Sequence, residues 1–152
     1  GYCNEPEKTA AAIDADGWMH TGDLAVMDDE GYVNITGRIK DLIIRGGENV
    51  SPREIEEYLY THPDIVDVQV VGVPDARYGE EICAFVQARP GSAVDTESVR
   101  AFCSGRIAHF KVPRYVIVVD EFPMTVTGKI QKYLLRETAT EQLGLEGFGS
   151  TA

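Results

Sequence analysis

Three blocks of this 152-residue chain combine residue types whose spacing could serve chemistry. The first, Trp18-Met19-His20-Thr21-Gly22-Asp23, ends in a Thr-Gly-Asp triplet. Such a triplet makes an ordinary turn, because threonine and aspartate bond back to nearby amides and glycine permits the bend. It could equally present a fixed carboxylate, Asp23, whose two oxygens match the vicinal hydroxyls of a ribose. The second block runs from Gly37-Arg38-Ile39-Lys40-Asp41 through Arg45-Gly46-Gly47-Glu48-Asn49-Val50 to Ser51-Pro52-Arg53-Glu54-Ile55-Glu56. As structure it is a domain junction, a strand, a glycine turn and a capped helix. As chemistry it offers the planar fork of Arg38 to a ribose or phosphate, and at Gly46 and Gly47 a backbone that a ligand can approach closely. The third block, Pro123-Met124-Thr125-Val126-Thr127-Gly128-Lys129-Ile130, sets Lys129 after a Thr-Gly turn at the start of a helix. It is not a Walker A loop, since Ile130 replaces the required Ser or Thr and Pro123 stands where the first glycine belongs. A surface lysine is the plain structural reading of Lys129.

The elements that must position these blocks follow from pattern and punctuation. Pro6 and the alanine-rich stretch to Ile13 predict a short helix. Leu24 to Met27 and Tyr32 to Thr36 are β-prone and flank Asp28-Asp29-Glu30-Gly31, which reads as a hairpin turn. Residues 1–40 hold so few large apolar side chains that they cannot close a core alone and resemble the end of something larger. Beyond the junction at Arg38-Ile39-Lys40, Asp41 to Arg45 predicts a strand. Ser51, Pro52 and Glu54 then predict a helix opened by a capping box. Ile65 to Val73 and Glu81 to Ala88 read as paired strands joined through Pro74 to Gly79, and Tyr115 to Val119 as a third strand. Asp95 predicts the cap of a helix from Thr96 to Ala108, and residues 130–141 a last amphipathic helix. The expected fold is α+β: a compact domain over residues 41–143 with a three-stranded sheet flanked by helices, preceded by a β-rich terminal piece over residues 1–40 and followed by a disordered tail over residues 144–152.

Composition narrows the function. The net charge of −11 argues against nucleic acid or anionic lipid as a general partner, because the long-range field repels both. Locally, ten of the fourteen basic residues fall in two windows, Arg38 to Arg53 and Arg106 to Arg136, which could bind a small polyanion. Three scattered cysteines and three scattered histidines give no metal-ligand spacing, so no protein-held metal is expected and the thiols read as reduced. With no charged-then-apolar leader and no apolar run near the roughly 18 residues of a membrane span, the expectation is a soluble, cytoplasmic chain without a transmembrane segment.

Taken in order and at this separation, the three blocks resemble the adenylate-forming superfamily of acyl-CoA synthetases, luciferases and peptide-synthetase adenylation domains, over nearly the whole chain. Gly-Gly-Glu-Asn-Val followed by Ser-Pro-Arg-Glu-Ile-Glu is most similar to the fatty-acid and aryl-acid CoA ligases. The resemblance implies a C-terminal lid from an ATP-dependent enzyme that joins a carboxylic acid to coenzyme A through an acyl-adenylate, with Mg²⁺ accompanying ATP. It implies that Asp23 and Arg38 bind the nucleotide, that Lys40 is the hinge and that Lys129 is the catalytic lysine. Gly46 and Gly47 would line the entry of the pantetheine arm, with Lys111 and Arg114 near the coenzyme A phosphates. The family's phosphate loop and acyl pocket are absent from these residues, so the chain alone is expected to be inactive. A lid from a domain that loads a carrier protein, and a non-catalytic module that keeps the fold, are the alternatives.

Overall fold

The computed structural model describes residues 1–148, and the chain divides into two compact units, Gly1–Lys40 and Asp41–Ala152. In the first unit, helix α1 (Pro6–Ala12) precedes an antiparallel hairpin of β1 (Asp23–Met27) and β2 (Val33–Arg38), with a register shift between Leu24 and Ala25. Asp28 makes the hairpin turn by accepting the N–H groups of Glu30 and Tyr32 while Gly31 takes φ +87°. No side chain of this unit is buried, and Trp18, Met27 and Tyr32 stay largely exposed. Its order comes from hydrogen-bonded turns rather than from a core.

The second unit carries a five-stranded sheet, wider than the three strands expected. The long pair β5 (Ile65–Asp75) and β6 (Gly79–Ala88) runs antiparallel, and β7 (Tyr115–Val118) joins β6 in parallel along Cys83 to Val86. Two further strands arise because the glycine pair does not simply end β3 (Ile43–Arg45). It folds β4 (Glu48–Val50) back upon it, and β3 meets β6 where Arg45 faces Gly79. Three-residue strands are too short to show a period-two pattern in sequence.

Both faces of the sheet are covered, which is why β6 is apolar from Ile82 to Val86 without alternation. Val68, Val70, Ile82, Ala84 and Val86 pack with Ile55 and Leu59 of α2 (Pro52–Leu59) and with Val99 and Cys103 of α3 (Thr96–Cys103). Val71, Val73, Cys83 and Phe85 form a second core with Leu135 and Ala139 of α4 (Lys132–Gln142). Burial pushes the Cys83 thiol up to about 12 and the Cys103 thiol up to about 11, so neither is a nucleophile at neutral pH.

Several boundaries differ from expectation for local reasons. Helix α3 stops at Cys103 rather than Ala108, since Gly105 takes φ +71° and His109–Lys111 form a 3-10 turn ahead of Pro113. Ser51 occupies the N-cap of α2 without a side-chain cap bond, and Glu54 binds the Lys111 ammonium instead of completing a capping box. The expected tail also starts too early: Leu145 is buried in the α4 core and Glu146–Phe148 form a 3-10 turn. The remaining tail residues, 149–152, lie outside the described residues. Among the described residues no helix is long and apolar enough to cross a membrane, and no group of three or more His, Cys, Asp or Glu could hold a metal ion.

Asp95 and Ser98 close a reciprocal capping box on α3, with Asp95 accepting the Ser98 N–H at 2.8 Å and Ser98 Oγ accepting the Asp95 N–H at 3.0 Å. The Ser98 backbone N–H, aided by the Ser98 hydroxyl, holds the Asp95 carboxyl below its ordinary range. A depressed carboxyl contributes stability above its unfolded pKa, about 3.9, and loses it as pH falls through the folded value. Asp95→Asn keeps the cap acceptor but cannot titrate. Denaturant melts from pH 6 to about pH 3 should therefore show a smaller acid loss in Asp95→Asn than in wild type, and a deficit already at pH 6 in Asp95→Ala.

Candidate functional site

Two groups of polar residues stand out, one in each unit. In the first unit, Asp23 and Arg38 face each other across the β1–β2 register, and Arg38 Nε donates to Asp23 Oδ1 at 3.1 Å. The pairing orients the carboxylate while leaving it about a quarter exposed, so its remaining lone pairs are available to a ligand diol. Gly22 takes φ +76° and its carbonyl accepts the Ile39 N–H, tying the Thr-Gly-Asp bend to the end of the hairpin. Lys40 is exposed within the 3-10 turn Ile39–Asp41, the last residue before the division between the units.

In the second unit, the segment carrying Lys129 is a tight turn, three residues ahead of α4 rather than at its start. Met124 bridges Ile130, Thr125 and Lys129 exchange backbone and hydroxyl bonds, and Gly128 takes φ +79°. Lys129 is exposed at this turn, and among the described residues no acceptor pairs with its ammonium. The other cations of the region are committed. Lys111 donates to Glu54, Arg114 to Asp75 at 2.9 Å, Arg136 to Glu80 at 2.6 Å, and Lys132 to Glu56 at 2.7 Å and to the Val70 carbonyl at 3.2 Å.

Lys132 is the first residue of α4, so its bonds to Glu56 of α2 and to β5 fix the point at which the Lys129 turn rejoins the body of the domain. Glu56 also accepts the Val70 N–H at 2.8 Å.

Gly46 and Gly47 form the β3–β4 turn with φ +60° and +90°. The Gly46 N–H donates to the Tyr78 carbonyl at 2.8 Å, and a Cβ on Gly46 would stand 3.1 Å from the Tyr78 ring. A Cβ on Gly47 would meet nothing within 4 Å, so that side of the turn is open. Arg45, just before the turn, forks onto Glu81 at 2.8 and 2.7 Å and lies 4.4 Å from the Tyr78 ring centroid. The bidentate bond that Arg45 donates to Glu81 raises the Arg45 pKa above the usual guanidinium value. Burial works against the charge on Asp75, but the N–H groups of Tyr78 and Arg77 and the Arg114 guanidinium outweigh it and hold the carboxyl below its ordinary range.

Between this turn and α3 lies a cleft of about 930 Å³ whose walls include Arg45, Tyr78, Glu81, Arg100 and Arg114. Arg114 therefore shares a cavity with the residue that precedes the glycine turn, whereas Lys111 does not line it and is turned to Glu54. The network of Asp75, Tyr78 and Glu81 was not among the residues singled out from sequence. Its one sequence signal is a charged residue, Glu81, directly ahead of the apolar run Ile82 to Val86.

Residues 54–129 match the family of AMP-binding enzyme C-terminal domains. The chain is 57% identical over 145 residues to the putative acyl-CoA synthetase YngI of Bacillus subtilis, covering 95% of this chain and 26% of that protein. It is 52% identical to the mitochondrial medium-chain acyl-CoA ligase ACSF2 of Bos taurus, again over 95% of this chain and 24% of the relative. Among solved structures, ATP-bound MatB from Rhodopseudomonas palustris superposes with a TM-score of 0.88 at 44% identity, over 93% of this chain and 28% of that one. The chain thus spans about a quarter of the length of the curated relatives it matches.

Removing the Glu56 carboxylate strips two partners at once from the junction of α2, β5 and α4. Glu56→Ala should cost about 1–3 kcal/mol, the penalty for an unsatisfied buried backbone donor and a lost ion pair. A chemical denaturation midpoint unchanged from wild type would show that the junction is held by packing alone.

Proposed function

The chain belongs to the adenylate-forming enzymes, whose AMP-binding C-terminal domain it carries, and on that premise we propose that it is the lid-bearing part of an acyl-CoA synthetase. The reaction has two halves. A carboxylate oxygen attacks the α-phosphorus of ATP, which enters with Mg²⁺, and pyrophosphate leaves. The thiol of coenzyme A, giving up its proton, then attacks the acyl carbon and AMP leaves. The observation that carries the reading is Lys129: exposed at the base of a hydrogen-bonded turn and free of any acceptor among the described residues, while Lys132 and Arg136 of the following helix are paired with Glu56 and Glu80.

That isolation suits the first half-reaction. Bringing a carboxylate to a polyphosphate sets two anions against each other, and a cation placed between them lowers the barrier most when no protein carboxylate competes for it. Lysine serves because its charge is compact and its stem flexible. Asp23, steadied by Arg38, would accept the ribose hydroxyls, and Lys40 would be the pivot on which the domain exchanges one catalytic surface for another. In the second orientation the open side of the Gly46–Gly47 turn would face the pantetheine arm. Arg114, in the cleft beside it, would meet the coenzyme A phosphates after exchanging Asp75 for the ligand; Lys111 would first have to leave Glu54. The acid-thiol ligase activity belongs to the whole enzyme, and this stretch by itself would not turn over. A role in fatty acid metabolism agrees with the names of the relatives.

Measuring the two half-reactions separately in a ligase of full family length tests these assignments. Lys129→Ala should slow adenylate formation about a hundredfold or more, equivalent to roughly 3 kcal/mol, while conversion of supplied acyl-adenylate and coenzyme A persists. Adenylation near the wild-type rate would remove Lys129 from the reaction. Gly47→Leu should do the reverse, slowing thioester formation more than adenylation, because the side chain fills the open face of the turn. Equal loss in both halves would point to misfolding. Replacing coenzyme A with a carrier protein in the same assay distinguishes a synthetase from a carrier-loading domain.

A further inference from the structure

Glu81 has no obvious reason to be where it is. It is 1% exposed, at the start of a strand that is apolar from Ile82 to Val86, and an apolar residue there would spare the cost of desolvating a charge. Replacing a buried ion pair by well-packed apolar residues is often neutral or stabilising, so stability alone does not call for this carboxylate. Its partner explains it better. Both oxygens of Glu81 accept from Arg45, a bidentate contact that fixes the guanidinium in plane and direction. Arg45 is the last residue of β3 and is followed directly by Gly46 and Gly47. On the opposite side the Tyr78 carbonyl takes the Gly46 N–H, and Tyr78 is itself held by Asp75, which accepts the N–H groups of Arg77 and Tyr78 at 2.8 and 2.9 Å. The glycine turn, which has neither side chains nor a core of its own, is thus fixed from outside at two points.

We infer that Glu81 is a positioning residue for the thioester half-reaction: through Arg45 it holds the Gly46–Gly47 turn in the one conformation that leaves a path for the thiol arm. The inference rests on the role given to that turn above. Glu81 bonds to Arg45 and lies 3.8 Å from Arg114, and it makes no bond to Lys129, so the adenylation step does not depend on it. Because the fork fixes direction as well as charge, glutamine at 81 is insufficient: it can accept at one oxygen but not both.

The test uses a full-length ligase carrying this segment, with adenylate formation and the conversion of supplied acyl-adenylate by coenzyme A measured separately. Glu81→Gln should slow the second step about tenfold or more, within the range an ångström-scale misplacement produces, and leave the first within about twofold. Arg45→Gln should match it, and the double Arg45→Gln, Glu81→Gln variant should be no slower than either single, as expected when one residue acts through the other. The double variant Arg45→Met, Glu81→Met removes the charges while keeping the bulk. It should melt at or near the wild-type temperature and still be slow in thioester formation. If that stable variant instead forms thioester at the wild-type rate, the pair is merely structural and the inference is overturned, as it is if Glu81→Gln slows both steps equally. Gly47→Leu in the same assay separates the two layers. Slow thioester formation there with a normal methionine pair overturns the role of Glu81 alone, whereas normal rates in both overturn the role of the turn as well.

Discussion

Antiparallel pairing of β5 with β6 sends side chains alternately into two cores, and each core holds one part of the proposed chemistry in place. On one face the packing of Val68, Val70, Ile82 and Ala84 against α2 and α3 builds the cleft wall that includes Arg100 and leaves the tight Ala76-Arg77-Tyr78 connection beside the glycine turn. On the other, Val71, Val73, Cys83 and Phe85 seat α4, whose first residue anchors the end of the Lys129 segment. Neither the lysine turn nor the glycine turn has a core of its own. Both are anchored to the same hairpin, so a domain of modest size holds the two turns in fixed relation to each other.

Charge is arranged with the same economy. Five cations of the second unit are met by carboxylates on other elements: Arg45 by Glu81, Arg114 by Asp75, Lys132 by Glu56, Arg136 by Glu80 and Lys111 by Glu54. These contacts join residues far apart in sequence, so the carboxylates that make them tie separate elements together. An incoming phosphate must compete with Asp75 for Arg114, which weakens the capture of arbitrary anions and favours a ligand that makes several contacts at once.

How much of this was legible in sequence depended on how local the cause was. Asp95, Pro52 and the glycines announce helix starts and turns because their effect is confined to a few neighbouring residues, and α1, α2 and α4 appear close to where the pattern set them. The β-branched runs gave β5, β6 and β7. The β3–β4 hairpin was missed as a part of the sheet because three-residue strands carry no periodicity, and α3 was drawn too long because Ile107 continues the apolar spacing after Gly105 has already ended the helix. Ser51 and Glu54 satisfy the sequence rule for a capping box, yet Lys111, 57 positions from Glu54, takes its carboxylate. Among the residues proposed for the site, Asp23, Arg38, Gly46, Gly47 and Lys129 were singled out through their blocks. The support beneath them, Glu56, Asp75, Tyr78 and Glu81, was not, since partnership across the sheet leaves no trace in spacing.

The bonds made by Glu56 and Lys132 have a bearing on solubility. Among the described strands β5 pairs only with β6, so the other edge of an eleven-residue strand is left without a neighbour. Long, regular edges of this kind invite a strand from another molecule to add on. At Val70 the two backbone groups on that side are already taken, the N–H by Glu56 and the carbonyl by Lys132. An intruding chain would find no donor or acceptor there and would have to displace an ion pair to gain one. The contact that anchors the end of the Lys129 segment thereby blocks strand addition near the middle of that edge.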